Sequence, residues 1–224
     1  MPAKDRRIVE QLLEERGRTF AEELGIRLRA APRPLFQLLV AALLMSARIR
    51  FELALRATKA LFDHGLDTAA KMHAASWEER VHILNPAGYA RYDERTSRML
   101  GETAALVEER YGGDLRRLRA TAEHDPTHER RLLKECKGIG DVGVDIFFRE
   151  VQAVWDELFP FVDARAIEGA ELLGLPSSPA RVAALVPRED LPRLLAALVR
   201  TRLRRDADEV LRRAARDGGA QAGV

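Results

Sequence analysis

Leu132-Leu-Lys-Glu-Cys-Lys-Gly-Ile-Gly-Asp-Val-Gly-Val-Asp-Ile-Phe-Phe148 is a helix, a tight hairpin and a second helix in one stretch. Gly138 and Gly140 flank a single apolar residue, Ile139, so the backbone can turn sharply at positive φ while Ile139 pins the turn into the core. The amides that open the second helix, around Val142 and Gly143, then point outward. N–H groups at a helix start form an anion site, and glycine leaves no side chain to hold a phosphate away. The same residues also suit a plain join between two packed helices. Asp141 leans toward that second use, because a first-turn carboxylate favours the helix dipole and repels a phosphate.

Outward from the hairpin, helical periodicity dominates and neither strand alternation nor an Asn-Gly turn appears. The fold class is all-α. Leu35, Leu38, Leu39, Ala42, Leu43 and Met45 mark a helix apolar nearly all round, as at the centre of a bundle. Further amphipathic segments run over 5–16, 49–63, 76–84, 91–110, 127–135, 141–155, 164–173 and 190–215. They are punctuated by Pro32 and Pro34, Gly65, Pro86, Gly112-Gly113, Pro126, Pro160 and Pro187.

The chain has 224 residues, 46% of them hydrophobic, enough for one sizeable core or two small ones. No run approaches the roughly 18–20 apolar residues of a membrane helix. Met1-Pro-Ala-Lys-Asp-Arg-Arg7 carries charge where a signal peptide is apolar, which makes a cytoplasmic protein the expectation, in contact with the nucleoid when on DNA. The single Cys136 fits that compartment and excludes any cluster or zinc site needing several thiolates, so no cofactor is expected. A net charge of +2 does not by itself argue for nucleic acid. Arg200-Thr-Arg-Leu-Arg-Arg205 with Arg212, Arg213 and Arg216 suits phosphates, but interleaved Asp206, Asp208 and Glu209 suit an ordinary solvated helix equally. The five histidines have no metal-ligand spacing.

The stretch from Leu133 to Phe148 resembles the helix-hairpin-helix motif of the endonuclease III and AlkA-like DNA glycosylase superfamily. Pro34-Leu-Phe-Gln-Leu-Leu-Val-Ala-Ala-Leu-Leu-Met-Ser-Ala47 is similar to that family's first core helix. Phe161-Val-Asp-Ala-Arg165 is similar to the segment carrying its essential aspartate. The resemblance implies two helical lobes, a six-helix barrel over 34–155 and a second lobe from 1–33 with 156–224, and a cleft between them. It also implies a monomer that binds lesion-bearing double-stranded DNA and extrudes the target base. Gly138, Ile139, Gly140, Val142 and Gly143 are then the phosphate anchor.

On the same resemblance, Asp163 faces the sugar of the flipped nucleotide and stabilises charge at the anomeric carbon. Read as plain sequence, Asp163 before Ala164-Arg-Ala-Ile167 is an ordinary helix N-cap. Three departures qualify the family pattern. Bifunctional members carry a lysine two residues after the second hairpin glycine, and Val142 stands there, which points to hydrolytic base removal without amine-catalysed strand cleavage. The four C-terminal cluster cysteines of some members are absent. Arg48 replaces the glutamine that fills the gap left by a flipped base in endonuclease III, and arginine can fill that gap or hold a phosphate. Tyr89 and Arg91 follow a proline turn, a position that suits base stacking and backbone contact, and tyrosines packing one helix on another fit as well. The expected function is a monofunctional, endonuclease III-like DNA glycosylase of base excision repair. A DNA-binding protein that kept the fold without the chemistry, and a helical scaffold for a protein partner, are the alternatives.

Overall fold

A computed structural model of the protein describes residues 1–89 and 93–220, with side chains through 216. The described residues are helical and contain no strand, and no helix is long and apolar enough to cross a membrane. In chain order the first helices are α1 (Ala3–Arg16), α2 (Phe20–Glu23), α3 (Pro32–Met45), α4 (Phe51–Asp63), α5 (Ala69–Ala74), α6 (Trp77–Leu84) and α7 (Asp93–Tyr111). They are followed by α8 (Leu115–Thr121), α9 (Pro126–Leu133), α10 (Asp141–Val151), α11 (Ala164–Leu172), α12 (Pro179–Ala183), α13 (Leu191–Arg204) and α14 (Ala207–Ala220). The chain divides into two compact units, Leu24–Leu158 and Met1–Glu23 with Phe159–Val224. Residues 24–33 and 156–158 fall in the first of these.

In the unit Leu24–Leu158, α3 is the central helix. Every residue from Pro34 to Leu44 is buried, and the helix packs against α4 and α10. Pro32 and Pro34 belong to its first turn, where a missing N–H costs nothing. The short α5 and α6 are set by their caps: Thr68 accepts from the Lys71 amide and Ser76 from the Glu79 amide at 3.1 Å. Arg80 is buried, donating to the Met72 and Ala75 carbonyls at 2.9 and 2.6 Å and to the Ser97 carbonyl at 3.0 Å. One guanidinium thus satisfies the end of α5 and fastens it to α7.

In the other unit, α11 packs on α13 and α1 packs on α13 and α14. Gly169 permits the first contact, because a Cβ there would stand 2.3 Å from the Leu198 carbonyl oxygen. The expected segment 190–215 is two helices, broken where Arg205 turns left-handed at φ +57°. Three arginines of this segment, Arg200, Arg202 and Arg213, are engaged by other parts of the protein. Arg200 is buried, its guanidinium 4.3 Å from the Phe20 ring centre, and it donates to the Arg16 carbonyl at 2.9 Å, the Arg18 carbonyl and Glu23. Arg202 pairs with Glu168 and Arg213 with Glu15 and Glu209. Neither a phosphate face nor a purely solvated face describes Arg200.

Candidate nucleic-acid interface

The hairpin joins α9 to α10. Asp125 caps α9, accepting the His128 amide at 2.7 Å, and Cys136 and Ile139 anchor the connecting loop in the core at 1% and 4% exposure. The Ile139 amide closes the turn on the Cys136 carbonyl at 3.0 Å. Gly138 needs to be glycine twice over: its φ is +89°, and a Cβ would meet Met99 Sδ at 2.8 Å. Gly140 differs from the expected positive φ. Its backbone is extended (φ −103°, ψ −167°), and a Cβ there would meet nothing within 4 Å. Gly143 gives Ile139 room, since its Cβ would stand 3.3 Å from Ile139 Cδ1.

No side chain caps α10, so its first-turn amides have no intrahelical acceptor. Asp141 sits in that turn with its charge countered: Lys134 Nζ donates at 2.8 Å and Arg130 lies at 3.7 Å. The Lys134 hydrogen bond holds the Asp141 carboxyl below its ordinary range. Its repulsion of an approaching phosphate is therefore blunted. Val142 is 39% exposed at the hairpin surface. Burial pushes the Cys136 thiol up to about 12, which removes it as a nucleophile near neutral pH.

The remaining candidates are dispersed. Arg48 is exposed in the bend between α3 and α4. Tyr89 is 2% exposed and its hydroxyl donates to the Leu44 carbonyl at 3.2 Å, so its ring belongs to the interior and has no face for a base. Arg91 lies outside the described residues. Asp163 belongs to the unit Met1–Glu23 with Phe159–Val224, where it is the N-cap of α11, 5% exposed and accepting the Ala166 amide at 2.8 Å.

One ionisable group had no sequence signal. Glu129, in Thr127-His-Glu-Arg-Arg131, reads as a surface charge, yet it is fully buried on the inner face of α9. Neither carboxyl oxygen receives a hydrogen bond from a protein donor. Burial, and then the Glu157 carboxyl beside it, push Glu129 up to about 8. Burial would also raise Glu157, but Arg119, donating at 2.6 and 2.5 Å, and the Glu129 acid outweigh it and hold Glu157 at about 2. The pair therefore carries one proton, on Glu129, and one charge, on Glu157.

A solved structure of a trapped endonuclease III–DNA covalent intermediate, an estranged-adenine complex, is similar to this chain with a TM-score of 0.48 and 18% identity, covering 90% of this chain and 86% of that one. No protein-family model and no curated protein matches the sequence.

Proposed function

We propose that the chain is a DNA glycosylase-like protein of the helix-hairpin-helix type, binding lesion-bearing duplex DNA as a monomer and hydrolysing the N-glycosidic bond of a damaged base. The hairpin is the observation that carries this reading. A loop held rigid by buried Ile139 and Cys136 presents Gly140 with open space at its Cβ position, beside an uncapped helix start whose acidic residue is countered. Such a surface admits a phosphate closely and reads no base, as a positioning contact should. Asp163 is the proposed catalytic carboxylate and Arg48 a proposed DNA contact. With Val142 at the position of the family's lysine, the proposed reaction ends at the abasic site. A DNA-binding protein without catalysis is favoured by one observation, that the Asp163 carboxylate is already engaged as a cap.

Gly140→Ala provides the test, because the protein itself has room for the added methyl. Melting temperature is expected to stay within a degree or two of wild type, and affinity for duplexes of any sequence to fall by about tenfold, the size of one lost charge-assisted hydrogen bond. Gly138 is unsuitable for this purpose, since its left-handed φ and Met99 make any substitution destabilising. Undiminished binding by Gly140→Ala would remove the hairpin as the anchor.

A further inference from the structure

Three contacts fix how the hairpin loop runs along α7. Arg110 pairs with Glu135, Thr103 Oγ1 donates to the Lys137 carbonyl at 2.9 Å, and Met99 Sδ lies 2.8 Å from where a Gly138 Cβ would stand. The loop thus advances from 135 to 138 as α7 is followed backward from 110 to 99. Arg95 is four residues before Met99 and eight before Thr103, on the same edge and about 6 Å further along the axis. It continues the line that the loop follows from Glu135 to Gly138.

Arg95 is exposed, as is Arg98 beside it, and neither has a hydrogen bond, ion pair or ring contact among the described residues. Four arginines of this unit are by contrast occupied, Arg80 by carbonyls, Arg110 by Glu135, Arg119 by Glu157 and Arg130 by Asp145. Of the acidic groups on α7, Asp93 is buried and accepts from Asn85 Nδ2 at 3.1 Å. Glu94 and Glu102 are exposed and pair with neither arginine. A guanidinium is permanently charged and offers a fork of donors that matches phosphate oxygens. Resting on the DNA-binding reading above, we propose that the N-terminal edge of α7 is a second phosphate-contacting element, with Arg95 gripping the DNA backbone beside the phosphate held at Gly140 and Arg98 adding to that grip. The occupant is a duplex backbone because the neighbouring turn is bare main chain with open space at the Gly140 Cβ position, and the guanidinium forks beside it match phosphate oxygens.

Titration of a fluorescein-labelled duplex by anisotropy at several salt concentrations tests this with wild type, Arg95→Ala, Arg95→Lys, Gly140→Ala and the Arg95→Ala/Gly140→Ala double variant. Arg117→Ala, at an exposed position of α8, controls for loss of one positive charge alone. Arg95→Ala is expected to weaken binding several-fold and to reduce the slope of log affinity against log salt by about 1. Arg95→Lys is expected to recover most of the loss, and the double variant to lose less than the two single losses combined, since the two sites grip adjacent parts of one backbone. An Arg95→Ala effect no larger than that of Arg117→Ala, with an unchanged slope, overturns the assignment while leaving hairpin binding in place. Absence of duplex binding by the wild-type protein at low salt overturns both the assignment and the DNA-binding reading on which it rests.

Discussion

Asp163→Asn is expected to leave the fold intact and to lower single-turnover base release by at least about a hundredfold, the usual scale for removing a group that stabilises charge in the transition state. The carboxylate has two jobs in this account. It caps α11 through the Ala166 amide at 2.8 Å, and in the proposed reaction it would supply a negative charge for the sugar as the base departs. Asparagine caps a helix about as well as aspartate, so melting temperature and circular dichroism should barely move. Asp163→Ala loses both functions and should cost about 1 kcal/mol of stability in addition. A loss of base release common to both variants, with stability lost only in Asp163→Ala, separates charge from cap. Full base release by Asp163→Asn would reduce the residue to a cap and move the catalytic assignment elsewhere.

The second large effect is a loss of stability on the alkaline side, set by Glu129. In the unfolded chain this carboxyl ionises at its ordinary value of 4.5, whereas the folded protein holds the proton up to about 8. Its contribution is thus complete below 4.5 and drains away as pH rises toward 8, at about 1.4 kcal/mol per unit of separation. Glu157 works in the opposite sense. Held at about 2, its contribution is present above its ordinary value and lost as pH falls through 2. Stability should therefore peak in weakly acidic solution and decline by several degrees in melting temperature between pH 6 and 9. Glu129→Gln keeps an N–H donor facing Glu157 without a charge to develop, so its melting temperature should be nearly flat over that range and exceed wild type at pH 9. A flat wild-type profile, or an equal decline in Glu129→Gln, would refute the shared proton. Desolvation of Arg119 is not an alternative source, because its guanidinium gains from Glu157 and stays charged throughout.

Most of the fold was legible because its signals are local. Unbroken apolar character from Leu35 to Leu44 identifies a central helix without tertiary information, and Asp163 announces its cap by position alone. The short α5 and α8 went unread because six or seven residues barely nucleate a helix, and their existence depends on caps at Thr68 and Asp114 and on packing. The break at Arg205 had no glycine or proline to mark it. The hairpin was legible as a turn, but the different reasons for its glycines were not: Gly138 answers to φ and to Met99, Gly143 to Ile139, and Gly140 to nothing inside the protein. Glu129 gives no sequence signal, and Arg200 does not announce its burial, for a shared reason. A charged residue between other charged residues looks solvated, and only the three-dimensional neighbourhood reveals which one is turned inward.

The central claim, base removal that stops at an abasic site, is tested most directly by presenting the purified protein with duplexes carrying oxidised, alkylated, deaminated and abasic lesions and dividing each reaction before quenching. One portion is analysed at neutral pH, one after alkali, and one after borohydride. At least one damaged base is expected to be released, with the strand whole until alkali is added and no borohydride-trapped complex formed, because the Val142 side chain cannot form an imine. Tight binding with no base released from any lesion would contradict it in favour of a non-catalytic DNA-binding protein, and a borohydride-trapped complex would contradict it by requiring a catalytic amine that this account does not contain.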